Sequence, residues 1–463
     1  MENLENLSKE QLEYLSDQLN LYKYNSDSIK KADEELTKIL DELKEKFAKN
    51  GNVLAYHDSR IKQPNSYLNK ILKNINNTEN NEYDSMHDII GHRIVCLNLS
   101  DVYAFLDVLK ECDKIRIIED PEKRDYIYHP KKSGYRSQHV ILEVPFIDED
   151  GVEQCVKAEI QLRTIFQDIF AREEHKLSYK NNGSISESDR GKLKELAEEL
   201  FGLDSAFDSM GRPIKQESIN DEAELELVQQ EYDKAKELFN LVHNDMDKII
   251  KEFYKEYPEK ADILHINSRL KPISSIRRKL KYKKLKISTD NIVYGLKDVV
   301  GFKIVCTDCD TVKDFIGFIN KKIGESTKLS VKEVSDHLDE PKLSGYRGYK
   351  INIDYCPQYI LSKPVTVELL IRSMIQDAWT LQQDVRVYNK EECYATKKDF
   401  IFTARSLKGL SYTLKHIETA LNNIKAKNLE NKAPARNLVQ EVKEYQNKKA
   451  KKLIIENKPK NEE

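Results

Sequence analysis

The stretch PKKSGYRSQH spans residues 130–139, and PKLSGYRGYK spans residues 341–350. These two stretches are almost identical although they lie 211 positions apart. Each places lysine before a glycine turn, which a tyrosine and an arginine follow. Lysine and arginine bind phosphate groups, and a tyrosine ring can stack on a base. The sequence therefore predicts a nucleotide-binding loop that occurs twice.

Other segments recur at nearly the same spacing of 209 or 210 positions. They are SRIK (59–62) with SRLK (268–271), HDIIGHRIVC (87–96) with KDVVGFKIVC (297–306), and KAEIQLR (157–163) with VTVELLIR (365–372). A chance match would not keep its register over four separate elements. We therefore interpret the chain as a duplicated unit.

The periodicity within each copy predicts the fold class. Strict alternation around KAEIQLR puts Val156, Ala158, Ile160 and Leu162 on one strand face and charged residues on the other. Segments with apolar residues at helical spacing flank such strands, for example 9–50, 164–180 and 189–207, and a charged helix is expected at about 221–256. The pattern predicts an α/β (α+β) fold, with a mixed β-sheet flanked by helices in each copy.

The length and the loops predict the domain boundaries. A chain of 463 residues is too long for one ordinary core. Residues 208–220 contain Gly and Pro and lack periodicity, so we place the boundary there. We expect domains at 1–215 and 216–430 and a charged, partly disordered tail at 431–463.

The composition indicates a cytoplasmic protein. Charged residues make up 33 % of the chain, the formal net charge is −3, and the mean hydropathy is −0.67. The first residues lack the basic start and apolar run of a signal peptide. No segment approaches the roughly 18 consecutive apolar residues that cross a membrane.

Charged residues in separate elements of the first copy suggest a chemistry. Arg60 and Lys62 share one face of a strand, and Lys70 lies on the next helix. Asp88 precedes a buried strand, and Glu159 lies on the polar face of another. Cations suit a polyphosphate, and two separated carboxylates suit Mg²⁺. The set predicts phosphoryl or pyrophosphoryl transfer.

Each residue also has a purely structural explanation. The cations could solvate a surface, Tyr135 could pack in the interior, and Asp88 could cap a turn. His175 could be an ordinary histidine on a helix face. Their joint order and their repetition favour the functional interpretation.

The segments HDIIGHRIVC, YHPKKSGYRSQH and KAEIQLRTIFQDIFAREEHKLSYK resemble the synthetase domain of the RelA/SpoT family, which makes the alarmones ppGpp and pppGpp. The resemblance covers about residues 50–205 and again about 260–425. It implies two tandem nucleotidyltransferase-like domains. It also implies a GTP/GDP diphosphokinase, which transfers the β,γ-pyrophosphate of ATP to the ribose 3′-hydroxyl of GDP or GTP with Mg²⁺ as cofactor.

The resemblance further implies a role for each matching residue. The expected contacts to the ATP phosphates are Arg60, Lys62, Lys70 and Arg93. The expected metal ligands and catalytic groups are Asp88 and Glu159, of which Glu159 alternatively accepts the 3′-hydroxyl proton. The expected acceptor-binding residues are Lys131, Lys132, Tyr135, Arg136, His139, Arg163 and His175.

The second copy keeps most of these residues and changes some. Those kept are Arg269, Lys271, Lys279, Asp298, Lys342, Tyr346, Arg347, Glu368 and Arg372. Lys303 stands in place of Arg93, Lys350 in place of His139, and Asp384 in place of His175. Lysine for histidine removes a group that titrates near neutral pH. We expect this copy to bind a nucleotide or RNA and to catalyse poorly.

The sequence leaves the acceptor and the assembly open. Residues 269–286 contain nine basic residues and no acidic one, so they could track an RNA backbone or face the acidic segment 220–233. The alternatives to alarmone synthesis are toxin-like pyrophosphorylation of the tRNA 3′ end and a non-catalytic nucleotide-binding regulator. The chain could form a homo-oligomer, or its two copies could pair within one molecule.

Overall fold

The computed structural model describes residues 7–76, 87–148, 150–180, 186–211, 222–257, 263–356, 363–387, 396–428 and 437–456. The chain forms two compact units. Unit 1 is Met1–Ser209 with Lys425–Glu463, and unit 2 is Met210–Ile424. Most of the predicted boundary segment 208–220 lies outside the described residues. Among the helices within the described ranges, none is long and apolar enough to cross a membrane.

The elements alternate between helices and short strands. The helices are α1 (Lys9–Tyr24), α2 (Ser26–Lys49), α3 (Pro64–Asn76), α4 (Leu99–Lys110), α5 (Ile165–Lys180), α6 (Glu187–Ser209), α7 (Glu222–Asp233), α8 (Lys236–Glu256), α9 (Ile273–Tyr282), α10 (Cys309–Glu325), α11 (Met374–Arg386), α12 (Lys397–Asn428) and α13 (Leu438–Glu456). The strands are β1 (Leu54–Ile61), β2 (Ile90–Cys96), β3 (Arg116–Ile117), β4 (Gln138–Ile147), β5 (Glu153–Thr164), β6 (Ile263–Leu270), β7 (Val300–Cys306), β8 (Leu329–Asp336), β9 (Tyr349–Tyr355) and β10 (Val365–Ser373).

Unit 1 contains a mixed five-stranded sheet in the order β1-β2-β5-β4-β3. The central pair β2 and β5 is parallel, and the other neighbours are antiparallel. The predicted alternation on β5 is confirmed, because Ala158, Ile160 and Leu162 are fully buried. They belong to the core that α2 and α4 also line, and this leaves the charged face of the strand on the other side of the sheet.

Unit 2 repeats this topology with the order β6-β7-β10-β9-β8 and a parallel pair of β7 and β10. The two sheets confirm the predicted fold class. One prediction was wrong in detail, since residues 221–256 were expected to form a single helix. A turn at Lys234 and Ala235 separates α7 from α8, and the Ala235 N–H bonds to the Tyr232 carbonyl there.

The repeated SGYR loops fold alike because only glycine suits the turn. Gly134 has φ +91° and Gly345 has φ +92°, in the left-handed region that glycine tolerates best. A Cβ on Gly134 would lie 2.7 Å from the Cβ of Ala197, and one on Gly345 would lie 3.0 Å from the Cβ of Ser411. The glycine therefore also lets a long helix approach each loop closely.

Part of the segment 431–463, which the sequence predicts to be a charged and partly disordered tail, forms a helix. Helix α13 belongs to unit 1, and its Leu438 and Val442 are fully buried in the core of that unit. Nε2 of Gln446 donates a hydrogen bond of 2.8 Å to Oγ of Ser16 on α1. These contacts attach the charged helix to unit 1. Residues 457–463 of the predicted tail lie outside the described ranges.

Candidate active site

One face of the unit 1 sheet carries polar side chains from neighbouring strands. Arg60 on β1 pairs with Gly91 on β2, and Gly91 pairs with Glu159 on β5. A second row of paired residues lies two positions away from the first. It contains Asp58 on β1, Arg93 on β2, Gln161 on β5 and His139 on β4. Alternate residues of a strand point to the same side, so both rows lie on the face opposite the buried core.

Asp88 lies at the edge of this face between two lysines. Nζ of Lys62 is 2.7 Å from Oδ2 of Asp88, and Nζ of Lys70 is 2.9 Å from Oδ1. Lys62 follows Arg60 by two residues, which puts it on the same side of the sheet. Burial by itself raises the pKa of Asp88, but the two lysines outweigh it and lower the pKa. The cluster is therefore an ionised carboxylate held by two cations.

Glu159 accepts two hydrogen bonds on the same face. Its Oε1 is 2.9 Å from Nδ1 of His139, and its Oε2 is 2.8 Å from Nε2 of Gln161. Burial raises the pKa of Glu159, whereas these hydrogen bonds and the charge of Lys70 lower it, so that its pKa is about 2. Lys70 thus acts on both Asp88 and Glu159.

Tyr135 connects His139 to a buried arginine. Its hydroxyl is 2.8 Å from Nε2 of His139 and accepts a hydrogen bond from Nη2 of Arg163. Burial lowers the pKa of His139, although Glu159 opposes the shift, so the ring is neutral at neutral pH. A carboxylate only accepts hydrogen bonds. Hence Nδ1 of His139 donates to Glu159, and Nε2 accepts from Tyr135.

Lys131 lies against the aromatic side chains of this loop. Its Nζ is 4.9 Å from the ring centroid of Tyr135 and 4.6 Å from that of Tyr126. Burial, which outweighs the charge of Glu159, lowers the pKa of Lys131. The predicted acceptor residues Lys131, Tyr135, His139 and Arg163 therefore lie together.

A buried carboxylate that sequence reasoning missed holds the arginines of the site. Asp168 on α5 is fully buried, and its carboxylate lies 3.1 Å from Nε of Arg93, 2.9 Å from Nη1 of Arg163 and 2.6 Å from Nε of Arg172. It also accepts a hydrogen bond from the Tyr56 hydroxyl. Burial raises the pKa of Asp168, and the three arginines lower it to well below its usual range.

Two features of the sequence could have identified this carboxylate. Asp168 and Arg172 have the i, i+4 spacing of a helical ion pair. Asp377 occupies the matching position of unit 2 and ion-pairs with Arg372 at 3.2 Å. The repeat thus preserves the aspartate together with its strand arginine.

The structure corrects the predicted role of Arg136. Its guanidinium bonds to both carboxylate oxygens of Glu198 on α6, at 2.9 and 3.0 Å, and donates to the Ile127 carbonyl. It also lies 4.0 Å from the ring centroid of Phe201. Arg136 therefore attaches α6 to the loop, and these contacts do not connect it to the other expected acceptor residues.

Arg347 in unit 2 has the same structural role as Arg136. It ion-pairs with Glu418 of α12 at 2.5 Å and donates to the Leu338 carbonyl at 2.8 and 3.1 Å. Each copy therefore uses the arginine of SGYR to fasten the following long helix.

The remaining predicted residues lie at the open edge of the site. Arg60, Lys132 and His175 are exposed. Partial burial, followed by the charges of Arg60, Arg93 and Arg163, lowers the pKa of His175. His175 is thus near the cationic side of the site and is neutral at neutral pH.

The carboxylates suit a metal that arrives with phosphate. Within the described ranges, no group of three or more His, Cys, Asp or Glu side chains forms a metal site. Mg²⁺ usually takes one or two protein carboxylates and completes its shell with phosphate and water. Asp88 and Glu159 fit that requirement, because the lysines that now neutralise Asp88 can transfer to phosphate oxygens.

Unit 2 arranges its counterparts similarly. Nζ of Lys271 is 2.7 Å and Nζ of Lys279 is 2.6 Å from Oδ2 of Asp298. Arg269 pairs with Gly301, which pairs with Glu368. The other expected members lie close to the ring of Tyr346, with Nζ of Lys342 5.2 Å and Cζ of Arg372 5.3 Å from its centroid.

These features define a class of α/β proteins that bind a polyphosphate on one face of a mixed sheet. The sequence model of the region found in RelA / SpoT proteins matches residues 59–184 and 268–392, which together exceed half of the chain. The chain belongs to the RelA/SpoT family, and its family region is present in tandem.

Relatives and solved structures match parts of the chain. GTP pyrophosphokinase YwaC of Bacillus subtilis is 41 % identical over 154 residues, 33 % of this chain and 71 % of the relative. GTP pyrophosphokinase YjbM of the same organism is 32 % identical over 135 residues, 29 % of this chain and 62 % of the relative, just under two thirds of its length. The crystal structure of small alarmone synthetase 2 from Bacillus subtilis is 33 % identical, with 40 % of this chain and 97 % of that chain covered and a TM-score of 0.36.

Proposed function

We propose that unit 1 is an ATP-dependent pyrophosphokinase that acts on GDP or GTP. Two relatives carry the name GTP pyrophosphokinase, and unit 1 carries the required cations and carboxylates on one sheet face. The observation that carries the proposal is the position of Lys70. It ion-pairs with Asp88 and lowers the pKa of Glu159, so both carboxylates face one cationic centre that suits a triphosphate.

Arg60, Lys62 and Lys70 would hold the phosphates of ATP. These cations neutralise charge on the transferring group, which is the main protein contribution to phosphoryl transfer. As the lysines move to phosphate oxygens, Asp88 and Glu159 become available to Mg²⁺. When bound, Mg²⁺ would add positive charge at the β- and γ-phosphates.

Glu159 would orient the acceptor 3′-hydroxyl and accept its proton. The 3′-oxygen forms a bond to the β-phosphorus of ATP, the bond from that phosphorus to the α-phosphate oxygen breaks, and AMP leaves. With a pKa of about 2, Glu159 is ionised at neutral pH and can accept a hydrogen bond from the 3′-hydroxyl. His139 fixes the direction of this carboxylate through its hydrogen bond.

The acceptor nucleotide would lie against the loop that contains Tyr135. The ring offers a stacking surface for guanine, and Lys131 and Arg163 offer positive charge beside it. Asp168 is a positioning residue, because it fixes Arg163 and Arg93 without itself facing the acceptor.

A product assay tests this proposal. Protein with ATP, Mg²⁺ and GDP or GTP should give AMP and the 3′-pyrophosphorylated guanosine nucleotide. Glu159→Gln should lower turnover by about 100-fold or more. Glu153→Gln is the matched control, since Glu153 is exposed at the far end of the same strand. A folded protein that forms no product would contradict the proposal.

A second candidate acceptor is RNA, which the surface of unit 2 favours. We call Arg278, Lys281, Lys284 and Lys286 the basic patch; all four are exposed, and Tyr282 among them is 86 % exposed. Helix α7 packs beside α9, but its Glu224 pairs with Arg277 outside the patch. The basic patch has no ion pair with the described residues, which leaves its charge available for RNA phosphates.

An assay with ATP labelled at the γ-phosphate separates the two acceptors. GDP, GTP and tRNA are offered in parallel, and the label is located on the guanosine nucleotide or on the tRNA. Binding of tRNA through the basic patch should weaken steeply between low and moderate salt. Lys281→Gln with Lys284→Gln should reduce that salt dependence, and label on guanosine nucleotide alone would exclude RNA as the acceptor.

A further inference from the structure

Unit 2 keeps the phosphate-binding half of the site almost unchanged. Lys271 and Lys279 hold Asp298 at 2.7 and 2.6 Å, as Lys62 and Lys70 hold Asp88. The register of Arg269, Gly301 and Glu368 repeats that of Arg60, Gly91 and Glu159. Three of the four cations expected to contact a polyphosphate are therefore in place, and Lys303 stands where unit 1 has Arg93.

The surroundings of the strand carboxylate are different. Nζ of Lys350 lies 3.4 Å from Oε2 of Glu368, where unit 1 has the hydrogen bond from His139 to Glu159. Lys350 pairs with Leu370 on the neighbouring strand, in the register that His139 shares with Gln161. Leu370 cannot donate the hydrogen bond that Gln161 gives to Glu159. Glu368 is thus held by an ammonium group instead of by two neutral donors.

Lysine also interrupts the hydrogen-bond relay found in unit 1. His139 accepts from Tyr135 and donates to Glu159, whereas an ammonium group has no acceptor. The hydroxyl of Tyr346 accepts a long hydrogen bond of 3.4 Å from Nη2 of Arg372, as Tyr135 accepts a hydrogen bond from Arg163 in unit 1. In unit 2, Tyr346 therefore cannot orient the carboxylate of Glu368 through a hydrogen-bonded histidine.

The change adds a permanent positive charge. At this position unit 1 has an imidazole that is hydrogen-bonded to Glu159, whereas unit 2 has the ammonium group of Lys350 beside Glu368. A divalent cation bound by Glu368 would be repelled by the nearby ammonium of Lys350. A polyphosphate would instead be attracted to the same ammonium. The residues of unit 2 therefore suit a polyphosphate better than they suit a metal.

We propose that unit 2 is a binding site for a nucleoside triphosphate that needs no divalent cation and transfers no pyrophosphate. The phosphates lie on Lys271, Lys279 and Lys350, the lysines that unit 2 places beside Asp298 and Glu368. This site is additional to the proposed activity of unit 1 and does not depend on it.

Equilibrium dialysis of the full chain with α,β-methylene-ATP, and in parallel with GTP, tests the binding. In EDTA we expect about one nucleotide per chain. Lys271→Gln with Lys279→Gln should weaken that binding at least tenfold, and Lys313→Gln, an exposed position on α10, should leave it unchanged. Absence of binding in EDTA would overturn the proposal. Loss of the binding in Lys62→Gln with Lys70→Gln would assign it to unit 1 and overturn it equally.

The role of Lys350 has its own test. Lys350→His restores the residue of unit 1, and it should weaken binding in EDTA at least tenfold while added Mg²⁺ recovers it. Lys350→Gln should lose the binding in EDTA in the same way, and circular dichroism verifies the fold of both variants. Binding unaffected by either substitution would show that Lys350 does not replace the metal.

Transfer by unit 2 is tested in a chain whose unit 1 is inactive. Glu159→Gln with ATP, Mg²⁺ and GDP should give no product. Product that persists in this variant and disappears after Glu368→Gln would overturn the proposed lack of transfer. Failure of the native chain to make product would contradict the function of unit 1 but leave the dialysis result for unit 2 standing.

Discussion

Nδ1 of His139 lies 2.9 Å from Oε1 of Glu159 and directs the carboxylate from the neighbouring strand. The contact depends on strand register. His139 pairs with Gln161, which is two residues from Glu159 along β5 and on the same face of the sheet. In unit 2 the same place holds a lysine. The two units therefore differ at the cross-strand contact that holds the strand carboxylate.

Replacing His139 by lysine should give unit 1 the low turnover that is proposed for unit 2. His139→Lys puts a permanent charge against Glu159 and removes the acceptor for Tyr135, so we expect turnover to fall by about 100-fold or more. The rate of AMP release with ATP and GDP measures it. Cys155→Lys, at an exposed position of the same sheet, should keep the native rate. Equal activity in both variants would contradict the role of His139.

The stability of unit 1 should depend on pH through Glu159. Its pKa is about 2 in the folded chain and 4.5 in its ordinary state, so its stabilising effect is present above pH 4.5 and is lost as the pH falls toward 2. That shift corresponds to about 3 kcal/mol. Urea unfolding of the native chain and of Glu159→Gln, followed by circular dichroism, should give a difference that shrinks over this window. A constant difference would contradict the assignment.

Removing the Asp168 carboxylate should destabilise unit 1 alone. Asp168→Ala leaves Arg93, Arg163 and Arg172 without their shared buried partner, which should cost about 3–5 kcal/mol. Circular dichroism should show an earlier transition for unit 1. Trp379 is the only tryptophan of the chain and lies in unit 2, so its fluorescence reports the control transition. A shift seen only by Trp379 would contradict the prediction.

Gly134→Ala should disturb the loop that carries Tyr135. The new Cβ would meet the Cβ of Ala197 at 2.7 Å, and the backbone has φ +91°. We expect a loss of about 2 kcal/mol or more and a raised KM for GDP. Gly151→Ala is the control, since Gly151 has φ +78° but no atom within 4 Å. It should lose about 1–2 kcal/mol from backbone strain and keep the native KM. An identical KM in both variants would show that the close contact is unimportant.

Much of the fold could be predicted because its signals are local. Alternation identified β5, and the spacing of apolar residues identified α5 and α6. The repeat in the sequence also predicts that Asp298 of the second copy corresponds to Asp88 of the first. The break between α7 and α8 was missed, since neither Gly nor Pro occurs in residues 230–240 to signal it.

The site was predicted less completely than the fold. The resemblance implied that Arg136 binds the acceptor, but its ion-pair partner Glu198 comes from α6, which is distant in the sequence. Asp168 was missed because its arginines come from β2, β5 and α5. Side chains that are distant in sequence meet only after the elements pack.

The amino-acid sequence by itself determined that this chain is a tandem α/β protein with a lysine–aspartate cluster in each copy, because period, glycine turns and repeated motifs are written in neighbouring residues. Only the tertiary structure decided which partner each charge takes. Strand register brought His139 to Glu159 and Lys350 to Glu368, and a buried charge has its chemistry set by the group beside it.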